Sequence, residues 1–139
     1  MNANATVARK ALEQVCARGD LTLAQECYAA DFVDHVNALD LHGHDGIRRS
    51  TDLYRALFDD LRIRVVDQIA EGDRVVSRWV MTGSNRGRPA EMSGITISRM
   101  EAGRIVEDWS ALDSLELLRQ LGLVRTLLAA PRLLSATRA

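Results

Sequence analysis

Residues 103–113 read GRIVEDWSALD and residues 115–122 read LELLRQLG, which predicts a turn, one long strand and a short amphipathic helix. Asp113 or Ser114 is expected to cap that helix. Alternation along a strand predicts two faces, with Asp108, Ser110 and Leu112 on one and Glu107, Trp109, Ala111 and Asp113 on the other. Most of the functional prediction depends on which of these faces lines the interior.

The chain before this strand shows helical periodicity first and a period of two afterwards. Three helices are predicted: one with Ala8, Leu12, Val15 and Cys16 inward and a stop at Gly19, one from Thr22 to about Ala30, and one from about Ile47 to Phe58 after a loop bracketed by Gly43 and Gly46. Residues 32–35 are predicted to be a short extended piece between the second and third helices. Four long strands follow, near residues 61–65, 75–82, 92–100 and 105–112. Residues 123–130 are predicted to add one or two helical turns.

Three helices, four antiparallel strands and a final helix make an α+β order rather than an alternating βαβ order. No repeat or linker divides the 139 residues, so a single domain over residues 1–139 is expected. A curved antiparallel sheet wrapped over three N-terminal helices, with a C-terminal helix closing it, encloses a cone-shaped α+β barrel. Such a cone has one mouth, which suits a small apolar ligand.

The charge balance narrows the classes of partner. Lys and Arg total 18 against 19 for Asp and Glu, a formal net charge of −1, which argues against nucleic acid or an anionic membrane surface. Residues 1–9 are polar and resemble no secretory signal, so a cytoplasmic location is predicted. Cys16 and Cys27 are expected to be small buried apolar residues.

Three phrases of the sequence carry a family resemblance. They are YAADFVDH at residues 28–35, IAEGDRVVSRW at residues 69–79 and GRIVEDW at residues 103–109. Over roughly residues 5–122 the chain resembles the SnoaL-like polyketide cyclases, a branch of the nuclear-transport-factor-2-like α+β cones. The resemblance implies an aromatic polyketide as the small-molecule substrate and a role in bacterial antibiotic biosynthesis.

The sequence departs from this family at two positions. In the family's cyclases an aspartate on the last strand transfers the proton, helped by a histidine on the neighbouring strand, and these positions fall on Ser110 and Thr96. The hairpin is predicted to place the two opposite each other. A serine hydroxyl is not a base near neutral pH without an activating partner. The family also contains relatives thought to hydroxylate anthracycline-type polyketides, and the altered residues fit such a variant better than a standard cyclase.

Asp108, His35 and Ser110 are the predicted catalytic residues. If Ser110 faces the cavity, so does Asp108, whose pKa an apolar cone would raise; the alternative is a solvated Asp108 near the mouth. Asp34 and His35 are neighbours and point to opposite sides of an extended segment. We expect one of them in the cone, with His35 as a pocket group; otherwise His35 is a surface histidine and Asp34 has a structural hydrogen-bonding role.

The remaining polar candidates are assigned to substrate binding. Arg78 or Arg99 could hold a phenolate or carboxylate, although strand arginines are more often solvated or ion-paired. The predicted substrate-binding set is Asp34, Thr96, Arg78, Trp79, Asn85 and Arg99. His42, His44 and Asp45 have a weak metal-ligand spacing, so no metal is predicted and Asp45 is assigned to the cap of the third helix. No dinucleotide, Walker or nucleophile-elbow motif occurs, and no cofactor is predicted.

Cofactor-independent hydroxylation of a polycyclic aromatic substrate in an apolar cavity is the preferred functional prediction. Asp108 or His35 would form a phenolate, Ser110 and Thr96 would stabilise oxyanions, and the substrate would donate electrons to O₂, with a separate reductase supplying reduced substrate. The alternatives are an aldol cyclase that uses Asp108 and a non-catalytic ligand carrier or accessory protein. An apolar outer face with Ile105, Trp109 and Ala111 predicts a homodimer; otherwise Trp109 packs under a helix.

Overall fold

The computed structural model describes residues 1–36 and 38–122, which form four α-helices and six strands. The helices are α1 (Ala3–Lys10), α2 (Ala24–Cys27), α3 (Gly43–Leu57) and α4 (Ser114–Leu121), and a π-helical segment, Ala11–Cys16, continues α1. The strands are β1 (Tyr28–Val36), β2 (Leu39–His42), β3 (Asp59–Glu71), β4 (Arg74–Asn85), β5 (Arg88–Glu101) and β6 (Arg104–Leu112). The helical turns predicted for residues 123–130 lie outside the described residues.

The six strands form one curved, unclosed sheet in the order β2-β1-β6-β5-β4-β3. Strands β3 to β6 make the predicted antiparallel meander, and the α+β cone is confirmed. The sheet also contains β1 and β2. Strand β1 is longer than the extended piece predicted at residues 32–35, and β2 was not predicted. Strand β1 runs parallel to β6 and antiparallel to β2. Residues 28–31 are part of β1, in which Tyr28 pairs with Ile105 of β6, although a helix end was predicted here. Tertiary contact therefore overrides the local helical pattern at this point.

The helix boundaries also differ from the prediction. Helix α2 is a single turn, and the Thr22 hydroxyl donates to Asp20 instead of capping it. Helix α3 begins at Gly43, whose φ is +63°, so Asp45 lies in its first turn and pairs with Arg48 rather than acting as the cap. The cap predicted for α4 is confirmed, because the Asp113 side chain accepts from the Glu116 amide at 3.1 Å.

Two apolar clusters fill the space between the helices and the concave face of the sheet. The first joins α1, the π-helical segment, α2 and α3 to the sheet, and it includes Ala8, Val15, Cys27, Phe32, Ile47, Val75, Met100 and Ile105. The second joins α3, the sheet and α4 through Tyr54, Phe58, Ile63, Trp79, Met81, Met92 and Leu121. Ile105 is only 1 % exposed, so its predicted place on the outer face is wrong. The small space that remains between the clusters is the candidate site.

Candidate functional site

A small cavity lies where the two apolar clusters meet. Its volume is about 30 Å³, and it is lined by Leu12, Cys16, Tyr28, Asp34, Val36, Ser50, Tyr54, Ile63, Trp79, Met81, Thr96, Asp108 and Ser110. This is room for about one water molecule, whereas ligand pockets usually measure about 300–1,000 Å³. The sequence predicts a largely apolar pocket for a polycyclic ligand, and this cavity is too small for such a ligand. The cavity is small, and its lining includes two carboxyl groups and several hydroxyls.

Asp34 and Asp108 are brought together by the parallel pairing of β1 with β6. They are register partners on adjacent strands, so their backbones lie about 4.8 Å apart, and both side chains face the cavity. Asp34 is 8 % exposed and Asp108 6 %. In each carboxyl group the Oδ1 atom is buried without a hydrogen-bond partner. Two acids that are far apart in the sequence thus form one buried pair.

Burial raises the pKa of both carboxyl groups. The pKa of Asp34 is raised to about 6 by desolvation, against which a hydrogen bond from Ser50 and the charge of His35 act. The pKa of Asp108 lies well above its usual value because of desolvation and the charge of Asp34, opposed by a hydrogen bond from Ser98. Among the described residues that line the cavity there is no Lys, Arg or His to compensate these charges. Burial without a counter-charge therefore favours the protonated form of these carboxyl groups.

A chain of three hydrogen-bonding side chains lies on the neighbouring strands. Trp79 Nε1 donates to Thr96 Oγ1 at 2.9 Å, and Thr96 Oγ1 lies 2.9 Å from Ser110 Oγ. One of the two hydroxyl protons joins Thr96 to Ser110, which leaves the other available to a group in the cavity. Gly94 makes room for the indole, because a Cβ at this position would lie 2.4 Å from Trp79 Cζ2. Trp79 therefore holds a hydroxyl donor at the cavity.

The other titratable groups that face the cavity are neutral near pH 7. The Cys16 thiol lies 3.5 Å from the Tyr28 hydroxyl, and burial raises the pKa of Cys16 to about 12. Burial also raises the pKa of the Tyr28 and Tyr54 hydroxyls. These groups can donate or accept hydrogen bonds, but they do not supply the charge that a catalytic base needs. Among the described residues that line the cavity, only the two aspartates bear carboxyl groups.

Comparison with known proteins agrees with the α+β cone fold. The family model for the SnoaL-like polyketide cyclases matches residues 6–121. The chain belongs to this family. Wild-type IdmH of Streptomyces antibioticus, a proposed polyketide cyclase, is 31 % identical with a TM-score of 0.70, over 88 % of this chain and 99 % of its own. No curated protein gives a significant match.

Two more distant structures share the fold of this SnoaL-like protein. A proposed polyketide cyclase from Bacillus cereus is 24 % identical with a TM-score of 0.78, over 87 % of this chain and 81 % of its own. AclR of Streptomyces galilaeus, a proposed hydroxylase, is 20 % identical with a TM-score of 0.70, over 86 % of this chain and 96 % of its own. At these identities the likeness concerns the architecture, which hosts more than one chemistry.

His35 does not lie in the cone of this SnoaL-like protein. Its Nδ1 is 2.6 Å from Asp40 Oδ1 and its Nε2 is 2.9 Å from Glu107 Oε1, and its ring stacks on Trp109 at 5.6 Å. These hydrogen bonds raise the pKa of His35. The expectation of His35 as a pocket base is wrong, because the alternation of β1 that turns Asp34 inward turns His35 to the outer face.

Three of the predicted substrate-binding residues are engaged away from the cavity. Arg78 is exposed and makes a bidentate ion pair with Asp67 on the neighbouring strand. Arg99 pairs with Glu107 on the outer face of the sheet. The Asn85 amide donates to the Leu57 carbonyl at 2.8 Å. These side chains do not line the cavity, because the alternation of β4 and β5 directs both arginines outward and Asn85 lies at the end of β4.

Five predicted residues do come together at the cavity: Asp34, Thr96, Trp79, Asp108 and Ser110. Cys16, Tyr28, Ser50 and Tyr54 also line the cavity but were not predicted as site residues. Tyr28 belongs to the phrase at residues 28–35, whereas the other three belong to no motif and reach the cavity through tertiary packing. His44, which belongs to the weak metal-ligand pattern of the sequence, lies in the first turn of α3, and its Nε2 is 3.2 Å from the Tyr28 carbonyl oxygen. Within the described ranges, no group of three or more His, Cys, Asp or Glu side chains could hold a metal ion. No described helix is long and apolar enough to cross a membrane.

Proposed function

We propose that this SnoaL-like protein is a polyketide-tailoring enzyme whose proton-transfer unit is the Asp34–Asp108 pair, and that its reaction is an aldol ring closure. The observation that carries the proposal is the burial of two carboxyl groups with free oxygens in one cavity, beside a hydroxyl donor. A base and an oxyanion donor are the two protein groups that an aldol closure needs. The presence of Asp108 in the cavity argues against a mere ligand carrier.

The proposed step moves one proton and forms one bond. A carboxylate of the pair removes a proton from the carbon between two carbonyl groups of the polyketide, and the resulting enolate carbon attacks a second carbonyl carbon. The new carbon–carbon bond leaves the charge on the attacked oxygen, which the hydroxyl donor of the Thr96–Ser110 pair stabilises until it takes up a proton. The product is an isomer of the substrate that bears a new ring and a new hydroxyl group.

Hydroxylation is the second candidate, and a specific observation favours it. Ser110 and Thr96 share a hydrogen bond at the two positions where the resemblance expects an aspartate and a histidine. In this reaction the pair would deprotonate a phenol, and O₂ would give one oxygen atom to the ring and the other to water. The two electrons and two protons needed would come from a reduced polyketide or a separate reductase. No protein-bound cofactor is part of this proposal.

Either substrate requires more space than the cavity offers. Met81 lines the cavity and packs in the second apolar cluster with Met92 of β5 and Leu121 of α4. Leu121 belongs to α4, a helix of eight residues whose Gln120 side chain accepts from the Glu91 amide at 2.7 Å. Binding of a polycyclic substrate therefore has to displace these side chains or α4.

The proposed location of the whole protein is the cytoplasm.

A turnover assay distinguishes the two reactions. We expect purified protein to convert a linear polyketide into a ring-closed product of unchanged mass, or of that mass less one water, at equal rates with and without oxygen. Mass spectrometry and an oxygen electrode supply the readouts. A product heavier by one oxygen atom, formed only in air, would favour hydroxylation, and a lack of any product from both substrate types contradicts the proposed function.

We further propose that the protein is a homodimer through the outer face of its sheet. This face exposes Ile69, Ile95 and Ile97, which are 72 %, 43 % and 39 % exposed, beside Trp109. A contiguous apolar surface of this kind is typical of an interface. We expect a dimer by sedimentation, and a monomer when Ile97 is replaced by Lys. A monomeric wild-type protein would contradict the proposal, and Leu115→Lys, at an exposed site on α4, is the matched control.

A further inference from the structure

The groups around the buried Asp34–Asp108 pair limit how many negative charges the pair can carry. Asp34 and Asp108 are register partners, both more than nine-tenths buried, and each has one oxygen without a partner. The titratable groups that face them are Cys16 from the π-helical segment, Tyr28 from β1 and Tyr54 from α3, and all three are neutral. Two adjacent negative charges without a counter-charge are strongly disfavoured in a low-dielectric interior.

The two carboxyl groups are not equivalent. Asp108 lies on β6, which is flanked by β1 and β5 in the middle of the sheet. Asp34 lies on β1, which is covered on its other side only by the four-residue edge strand β2. Asp34 is also followed by His35, whose pKa is raised by its hydrogen bonds to Glu107 and Asp40 and whose charge lowers the pKa of Asp34. The position that tolerates a negative charge better is therefore Asp34.

We propose that Asp34 and Asp108 share one proton near neutral pH, with Asp34 as the ionised base and Asp108 as the protonated acid. This assignment rests on the proposed function for its catalytic meaning. In an aldol closure Asp34 would take the carbon-bound proton, and Asp108 would give its proton to the attacked carbonyl oxygen. Transfer of one proton from Asp34 to Asp108 then restores the starting state. The substrate class that fits such a site carries a neutral carbonyl group at the reacting oxygen, not an anion.

The folding equilibrium provides a test that does not depend on turnover. The unfolded chain ionises Asp108 near its ordinary value of 3.8, whereas the folded chain keeps its proton. The folded state then binds one proton more than the unfolded state, so stability is highest at low pH and falls as pH rises toward the folded pKa. The pKa of Asp34 is about 6, so above this pH Asp34 contributes little further change. There we expect the proton held by Asp108 to make the unfolding constant rise about tenfold per pH unit.

His35 must be removed from this measurement, because its raised pKa also makes folding take up a proton. The experiment therefore compares denaturant unfolding of His35→Gln with that of His35→Gln/Asp108→Asn between pH 6 and 8, in steps of about half a unit. The amide is the same size as the protonated acid. We expect the single variant to show the tenfold dependence and the double variant to lack it. Equal pH dependence in the two variants overturns the proposal.

Infrared spectroscopy tests which residue holds the proton in the intact protein. We expect a protonated carboxyl band at neutral pH in the wild type and in Asp34→Asn, and its loss in Asp108→Asn. A wild type without this band overturns the shared proton, and loss of the band in Asp34→Asn alone overturns the assignment of acid and base. A protein that shows the band but turns over no polyketide supports the proton pair and contradicts the proposed function.

Discussion

Asp108→Asn is expected to lower the turnover of a polyketide substrate by about 10²–10⁴-fold, the usual contribution of a positioned acid or base. The amide has nearly the same shape as the protonated carboxyl, so the packing of β6 is preserved. It can donate a hydrogen bond, but it cannot give up a proton to the substrate or receive one from Asp34. The measurement is kcat and KM on the substrate that the wild-type protein converts, with the fold checked by circular dichroism.

His35→Gln is the matched control for this substitution. It also changes a titratable residue of the β1–β6 region, but on the outer face of the sheet, where His35 contacts Asp40 and Glu107. We expect its kcat to stay within the same order of magnitude as that of the wild type. If Asp108→Asn keeps wild-type kcat, the carboxyl pair is not the proton-transfer unit. A large loss of kcat in His35→Gln alone would return the catalytic role to the outer face.

Trp79→Ala is expected to destabilise the fold by about 3–5 kcal/mol, the range for truncation of a buried aromatic side chain. Trp79 is 3 % exposed and packs against the backbone at Gly94, so its removal leaves a cavity that this part of the sheet cannot fill. Its loss also frees the Thr96 hydroxyl from the Nε1 donor. Equilibrium unfolding in urea measures the change in the free energy of unfolding.

Trp79→Phe separates packing from hydrogen bonding. The smaller ring keeps much of the apolar contact, and the lost hydrogen bond alone costs about 0.5–1.5 kcal/mol. We expect this variant to fold well and to show reduced kcat, because the hydroxyl pair is no longer oriented by the indole. Equal stability of the two variants would mean that the volume of the indole contributes little. Wild-type kcat in Trp79→Phe would remove Trp79 from the positioning of the donor.

The faces of the last strand could be predicted because they depend only on local geometry. Successive side chains of a strand point to opposite sides, so Asp108 and Ser110 had to share a face, and the structure places both at the cavity. The same rule separates Asp34 from His35, but it does not say which of the two is inside. That choice depends on how β1 pairs with β6, and the predicted preference for His35 was wrong.

Several side chains that line the cavity could not be recognised as site residues from periodicity. Cys16, Tyr54 and Ser50 follow ordinary helical patterns, and nothing in their spacing distinguishes a cavity wall from a core position. Arg78 and Arg99 were reasonable candidates for an anion site until their acidic partners on neighbouring strands were known. Partner choice across a sheet is a long-range property, and a single sequence without its register does not reveal it.

The amino-acid sequence alone determined the α+β class, the antiparallel meander, a cap for α4 at Asp113 or Ser114 and the two faces of β6, because each follows from local periodicity and turn chemistry. Only the tertiary structure decided that β1 lies parallel to β6, that Asp34 meets Asp108, and that the two apolar clusters leave a cavity of about 30 Å³ beside this pair. Contacts between segments distant in sequence depend on the burial of apolar surface over the whole chain. The acid pair and the size of its cavity are consequences of that global packing.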